Sequence, residues 1–311
     1  MKLSRLVSFG FMSSGSLFLS LNTQARTPDP ENTEYARQFV RPFEQSDLNL
    51  FPNPKGARPN SNLEDAGFKP LDNPRLTNVL DSIFAHSKGS NTVWSVDIRA
   101  FSPKGLSYSI YQFNPRTDVR PASNMKLLTT WTAFHNIPEL SKTDSNVYSK
   151  VYDMMKTSDN DAAETVLDWS GGPKAVFNAF TQENLEHTPN MRIVDGSGLS
   201  YSNRVATSDL MQVLLSVYYS SYYHKFRALL PIAGVDGTLA SRRITSHASI
   251  SAKTGTLTDD PDVALSGYAD VDGGWQVIFS IVGDSVPDLG TGRSAIDRAL
   301  DEVANTMRFY K

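Results

Sequence analysis

Pro121-Ala122-Ser123-Asn124-Met125-Lys126-Leu127-Leu128 places a serine and a lysine three positions apart at the start of an apolar segment. On a helix, residues i and i+3 share a face, so the Lys126 amine can hang beside the Ser123 hydroxyl and take its proton. A serine nucleophile needs such a neighbour when no histidine assists it. With this content of serine and lysine, about one S-x-x-K arises by chance, so the pair carries weight only if the rest of the chain supplies partners for it. Leu127, Trp131 and Phe134 continue the segment as one buried face. That pattern predicts a helix from near Ser123 and a rigid platform under its hydroxyl.

On the N-terminal side, Thr92 to Ala100 alternates, with Val93, Ser95, Asp97 and Arg99 against Trp94, Val96 and Ile98, and Leu106 to Tyr111 alternates less cleanly. Ser102-Pro103-Lys104-Gly105 carries turn residues between them, which predicts a β-hairpin. Leu76, Val79, Leu80 and Ile83 fall at i, i+3, i+4 and i+7, the mark of an amphipathic helix that opens the folded part of the chain near Asn73. On the C-terminal side, Val151, Met154 and Met155 mark a helix that runs into Lys156-Thr157-Ser158-Asp159-Asn160. Ala162 to Leu167 reads as helix again, and Gly171-Gly172-Pro173 ends it and starts another. Asp195-Gly196-Ser197-Gly198 is a tight turn expected near the Ser123 site, and Thr207 is expected to cap a helix whose Leu210, Val213, Leu214 and Val217 face inward.

Ser249 to Leu257, Val263 to Val271 and Trp275 to Val282 read as strands, the last two joined at Asp272-Gly273-Gly274. A helix carrying Ala295, Ile296, Ala299, Leu300 and Val303 follows. Strands at both ends of a helical middle predict an α+β fold, with one five-stranded antiparallel sheet, helices packed on it and a helical subdomain.

The 311 residues are 40% hydrophobic, enough for a packed core. Net charge is -3 and no basic block occurs, which argues against nucleic acid and against an anionic membrane as partners. There is no cysteine, which excludes disulfides, thiolate metal sites, a cysteine nucleophile and a lipidated cysteine. His86, His135, His187, His224 and His247 are scattered without ligand spacing, so neither a metal nor another cofactor is expected. Tyr218, Tyr219, Tyr222 and Tyr223 read as the core and surface of a helix end rather than as a sugar platform.

Met1-Lys2-Leu3-Ser4-Arg5 is a basic start, followed by an apolar run from Leu6 to Leu21 that Ser13-Ser14-Gly15-Ser16 interrupts. Thr23-Gln24-Ala25 then supplies the small residues a signal peptidase reads. Residues 1–25 are therefore expected to be a signal peptide cleaved after Ala25, with the periplasm as destination. The run is too short and broken for a stable membrane span, and no later segment is long enough. Residues 26–72, rich in Pro, Asn and charge, are expected to form a linker or loosely packed extension, and residues 73–311 the folded domain.

Two further signals follow Ser123 in order: Ser158-Asp159-Asn160, and Lys253-Thr254-Gly255 on a predicted strand. Each alone is weak, since S-x-N recurs by accident at Ser20-Leu21-Asn22. Together, S-x-x-K, S-D-N and K-T-G form the signature of penicillin-binding proteins and serine β-lactamases. The residues around them are Pro121-Ala122-Ser123-Asn124-Met125-Lys126-Leu127-Leu128-Thr129-Thr130, Asp195-Gly196-Ser197-Gly198-Leu199-Ser200, Gly237-Thr238-Leu239, Ala252-Lys253-Thr254-Gly255-Thr256-Leu257 and Leu265-Ser266-Gly267-Tyr268. They closely resemble the class C low-molecular-mass penicillin-binding proteins, exported D-alanyl-D-alanine carboxypeptidases and endopeptidases of peptidoglycan. The resemblance covers roughly residues 75 to 305 and implies a β-lactamase/transpeptidase-like fold.

It also implies roles. Ser123 would attack the carbonyl of a D-Ala-D-Ala bond and form an acyl-enzyme, with Lys126 accepting the proton. Burial of Lys126 beside the cation Lys253 would favour its neutral form. Ser158 would relay a proton to the leaving amine, Asn160 would hold the substrate amide and Lys126, and Lys253 with Thr254 would bind the free carboxylate. The backbone N–H groups of Ser123 and Thr256 would hold the oxyanion, and the peptide would lie along the Lys253-Thr254-Gly255 strand. β-Lactams would acylate the same serine.

One departure stands out. Members of that group carry a long insertion between the S-x-x-K helix and the S-x-N loop, whereas Ser123 and Ser158 are only 35 positions apart here. The chain thus resembles a bare catalytic domain, and the wall of the site near Ser158 does not follow from the resemblance. Two rival readings share the motifs: a serine β-lactamase, which needs a base such as a glutamate to activate water, and a catalytically silent peptidoglycan-binding protein.

Overall fold

A computed structural model describes residues 51–55, 67–142 and 145–310, all within one compact unit. The expected leader at residues 1–25 lies outside the described residues. Among the described residues no helix is long and apolar enough to cross a membrane.

Six strands form one sheet: β1 (Lys69–Pro70), β2 (Val93–Phe101), β3 (Ser107–Phe113), β4 (Ala248–Leu257), β5 (Asp262–Val271) and β6 (Trp275–Asp284), ordered β1-β3-β2-β6-β5-β4. β2 through β6 pair antiparallel, so the five expected strands are there. The sixth is a correction: β1 pairs parallel with β3 over two residues, too short to show in any sequence period. The hairpin turn after β5 puts Gly273 and Gly274 at φ 85 and 84, the left-handed region in which glycine carries no Cβ penalty.

The helices are α1 (Pro74–His86), α2 (Met125–Asn136), α3 (Asn146–Lys156), α4 (Asn160–Trp169), α5 (Pro173–Gln182), α6 (Thr207–Tyr218), α7 (Tyr223–Leu229) and α8 (Leu289–Met307). Their starts follow local chemistry. Asn73 Oδ1 accepts from Leu76 N at 3.1 Å with Pro74 next to it, and Asp159 Oδ1 accepts from Ala162 N at 2.8 Å, each satisfying an orphan donor of a first turn. At α6 the expected cap is displaced by one residue. Ala206 occupies that position, its N–H donates to Asp209 Oδ2 at 3.0 Å, and the Thr207 hydroxyl instead meets Ser95 Oγ at 2.8 Å.

The sheet has a core on each face. Leu80, Phe84, Trp94, Ile98, Phe279 and Ile296 gather on the side of α1 and α8, while Leu128, Trp131, Val151, Phe180 and Leu214 gather on the side of the other helices. α2 is more central than one apolar face suggests: every residue from Met125 to Ala133 is buried, Lys126 and four threonine or alanine positions included. A helix covered all round has no solvent side for its polar groups. Thr130 and Thr132 accordingly donate back to Lys126 O and Leu128 O at 2.7 and 2.9 Å. Described parts of the 26–72 segment also dock on this body. Phe51 is buried 4.3 Å from the Arg227 guanidinium, and Lys55 N donates to Tyr218 Oη at 2.5 Å. A single aromatic anchor does not alter composition, which is why the segment reads as a linker.

The loop through Gly198 touches the turn before α2. Gly198 has φ +87, and a Cβ there would stand 1.8 Å from Ala122 O, a backbone atom that cannot yield cheaply. Gly198→Ala is expected to destabilise the protein by roughly 3 kcal/mol or more and to lower its thermal midpoint. An unchanged midpoint in a melting scan would show that this contact does not constrain the fold.

Candidate active site

Ser123 sits in a single 3-10 turn, Ala122–Asn124, that feeds directly into α2. The turn is held from three sides. Arg120, just before it, pairs with Asp260, Asp262 and Asp284 at 2.6, 2.8 and 2.7 Å. Asn124 Nδ2 donates to Ser266 Oγ of β5 at 2.7 Å. Gly255 of β4 lies against it, where a Cβ would come within 3.1 Å of both Ala122 Cβ and Pro121 O. Ala122 takes up the tight geometry with φ 46, a conformation that a non-glycine residue keeps only when its surroundings impose it.

Lys126 is fully buried, and its Nζ lies 3.0 Å from Ser123 Oγ, 2.8 Å from Asn160 Oδ1 and 2.7 Å from Ser197 O. Desolvation pulls its pKa down to about 8, against the opposing pull of Asp195, Glu164 and Asp159. The neutral fraction at pH 7 therefore rises from about one in three thousand to about one in ten. A neutral amine has two N–H groups and one lone pair. Asn160 Oδ1 and Ser197 O can only accept, so they take the two N–H groups, and the lone pair is left for Ser123 Oγ. The arrangement can remove a proton from that hydroxyl.

Lys253 is also fully buried, and its Nζ donates to Ser158 Oγ at 2.9 Å and Thr254 O at 3.1 Å. Desolvation, reinforced by the Lys126 charge, pushes its pKa well down. Of the two causes expected for Lys126, burial and the neighbouring cation Lys253, burial is the one that acts on it, and the charge repulsion shows on Lys253. Ser158, at φ 64 between α3 and α4, is carried over the amine by Lys156, whose Nζ holds Leu230 O and Asp236 Oδ2, both at 2.6 Å. The ends of α3 and α4 are therefore the wall near Ser158. A cleft of about 560 Å3 runs past Ser123, Ser158, Thr254, Gly255 and Thr256. The structure brings all eight candidate residues together: Ser123, Ser158, Thr254, Gly255 and Thr256 on the cleft, and Lys126, Asn160 and Lys253 behind it or linked to it.

β4 is an edge strand. Its outer side is paired with the 231–233 segment as far as Ala252, through Ala233 N to Ile250 O and Ala252 N to Pro231 O, both 2.9 Å. From Thr254 onward it borders the cleft.

Several contributors escaped the motif reading. The Ser197 carbonyl is an acceptor for Lys126, but backbone atoms leave no trace in a motif. Glu164 accepts from Gly196 N and Ser197 N at 3.0 Å each, and Asp195 accepts from Gly198 N and Ser200 N at 2.6 Å each, so two carboxylates shape the turn that presents that carbonyl. Thr238 Oγ1 meets Thr254 Oγ1 at 2.7 Å; the Gly237-Thr238-Leu239 stretch was its signal. Arg242, Arg293 and Asp297 line the far end, without any sequence signal. Among the described residues no cluster of three or more His, Cys, Asp or Glu is placed to hold a metal.

Comparison with known proteins bears on this arrangement. The model of the D-Ala-D-Ala carboxypeptidase 3 (S13) family matches residues 140–303, a span that holds Ser158, Asn160 and Lys253 but begins after Ser123. The chain is 29% identical over 170 residues to penicillin-sensitive carboxypeptidase A of Dictyostelium discoideum, covering 50% of this chain and 32% of that protein. It is 30% identical over 163 residues to carboxypeptidase DacB of Mycolicibacterium smegmatis, covering 46% and 34%. The matches thus span about a third of these relatives' length. Among solved structures, a PBP-A variant captured as an acyl-enzyme complex with penicillin G superposes with a TM-score of 0.60 at 15% identity, covering 78% of this chain and 98% of that one. The chain therefore has the penicillin-binding protein and β-lactamase fold.

If Lys126 takes the Ser123 proton, acylation of Ser123 by a β-lactam should rise with pH as the amine loses its proton, reaching half its maximum near pH 8. A stopped-flow acylation rate that is flat from about pH 6 to about pH 9 would remove Lys126 from that role.

Proposed function

Since this chain belongs to the D-Ala-D-Ala carboxypeptidase 3 (S13) family, we propose that it is a serine D-Ala-D-Ala carboxypeptidase or endopeptidase that cleaves peptidoglycan stem peptides through an acyl-enzyme. The observation that carries this reading is the Lys126 amine within hydrogen-bond reach of Ser123 Oγ, with its other two acceptors fixed.

In the proposed reaction Ser123 Oγ adds to the carbonyl carbon of the scissile bond as its proton passes to Lys126 Nζ. The oxyanion is held by the backbone N–H groups of Ser123 and Thr256, each worth roughly 3 to 4 kcal/mol. The C–N bond then breaks, and the proton that Lys126 accepted is relayed through the Ser158 hydroxyl, which touches Lys253 Nζ, to the leaving nitrogen, so that Lys126 is neutral again. Water later cleaves the ester and restores the serine, Lys126 now acting as base toward that water. Thr254 offers its hydroxyl to the substrate carboxylate, and the peptide lies along the open part of the β4 edge. Lys253, fully buried, acts through Ser158 rather than by touching the peptide.

A β-lactam imitates this substrate and acylates the same serine. Fast turnover of that adduct needs a second base, beyond Lys126, to activate water, and Glu164, on the helix beside Asn160, has both carboxylate oxygens engaged by the Gly196 and Ser197 N–H groups. That supports a lasting adduct over β-lactamase activity. We place the protein outside the cytoplasm, with residues 1–25 as the export signal, residues 73–311 as the main catalytic body, and the periplasm as its compartment. Support for this comes from the basic-then-apolar N-terminal pattern and from the proposed substrate, a peptide of the cell wall.

Incubation with penicillin G should give a single covalent adduct by intact-mass spectrometry that survives removal of free drug and is absent from Ser123→Ala. The protein should also release D-Ala from a stem pentapeptide or split a cross-linked dimer. Neither labelling nor cleavage, with retained binding to sacculi, would replace this reading with a silent binding protein.

A further inference from the structure

We propose that Arg293, on the first turns of α8, recognises the carboxylate that the leaving amino acid carries next to the scissile nitrogen, and that this arginine, rather than either active-site lysine, supplies the fixed positive charge of that subsite. The inference rests on the reaction proposed above and adds a residue to it.

The charges at the site lead to this assignment. A substrate carboxylate leaving water for the cleft needs a cation or several donors to replace its hydration. Both lysines are fully buried, and Lys253, already engaged by Ser158 and Thr254, is drawn toward its neutral form by burial and by the Lys126 charge. Arg242 borders the cleft, but Asp297 holds its guanidinium at 2.7 to 3.0 Å, so that pair brings little net charge. Arg293 lines the same cleft, is exposed, and donates from Nη2 to Thr256 Oγ1 at 3.1 Å. A guanidinium keeps its proton at any working pH and offers a planar fork suited to a carboxylate.

The backbone places it there. Thr256 pairs with Val263 across β4 and β5, and Gly292 packs on Val263, where a Cβ would come within 2.7 Å of Val263 Cγ2. The missing side chain lets α8 settle on β5, which brings the next residue, Arg293, to the side chain of Thr256. Helix and strand are locked one residue away from the contact, so the guanidinium reaches the K-T-G strand from a rigid base.

The test compares an N-acylated peptide ending in D-Ala-D-Ala with its C-terminal amide, on the full chain and on Arg293→Gln and Arg293→Lys. Wild type should favour the free acid by about tenfold or more in kcat/KM. In Arg293→Gln this preference should collapse through a raised KM for the acid, with a much smaller loss on the amide and the thermal midpoint unchanged, and Arg293→Lys should regain part of it. A ratio that is the same in wild type and Arg293→Gln, or an equal loss on both peptides, overturns the assignment while leaving the enzyme reading intact. Wild-type protein that cleaves neither peptide and takes no penicillin overturns both.

Discussion

The site depends on one buried amine with three oxygens around it. Lys126 lies under the surface of a helix covered on every side, where an ammonium ion is poorly solvated and a neutral amine is not. Because two of its partners are carbonyl oxygens that cannot donate, the neutral form has one orientation, with its lone pair toward Ser123. Much of the surrounding structure serves that orientation. Asp159 starts α4 so that Asn160 follows at the right height, Glu164 and Asp195 gather the N–H groups of the turn that presents the Ser197 carbonyl, and Gly198 lets that turn press against Ala122. The same carboxylates oppose the loss of basicity that burial imposes on Lys126.

The second lysine shows the cost of packing two amines into one interior. Burial and its cationic neighbour both act against the Lys253 charge, and among the described residues no carboxylate pairs with it. A buried cation without a counter-ion tends to shed its proton. It therefore serves best as a partner to Ser158, where a group that gains and loses a proton easily is of use, and permanent charge has to come from the rim of the cleft. Proton chemistry lies inside, in lysines whose surroundings make them adjustable. Recognition of charge lies outside, in an arginine that is not.

What could be read from the residues followed from periodicity and motif order. The hairpin, the three late strands and α1 show in their hydrophobic spacing, and the S-x-x-K, S-D-N and K-T-G motifs meet in space as their order requires. What could not be read has physical reasons. β1 is held by parallel pairing to β3 and has too few residues for a period. The docking of Phe51 on Arg227 is a single contact in a polar segment. The Thr207 position was misjudged because its hydroxyl had a tertiary partner in Ser95, and tertiary partners override local capping preference. The Ser197 carbonyl and the Arg293 contact depend on backbone atoms and on a helix settling on a strand, and neither has a residue-type signature.

β2 carries one consequence of its own. Trp94, Val96 and Ile98 meet the α1 and α8 core, while Ser95, Asp97 and Arg99 on the opposite side are equally buried, so water does not tell this strand which way to face. The choice is made by polar matching: Asp97 and Arg99 pair at 2.9 Å, and Ser95 finds Thr207. A slip of one residue would carry these groups to the apolar face and part Ser95 from Thr207. The middle of the sheet is thus keyed like a lock by its few hydrophilic atoms. Since β6, β5 and β4 are laid down from β2 in turn, that key also fixes how far along the molecule the K-T-G strand comes to rest.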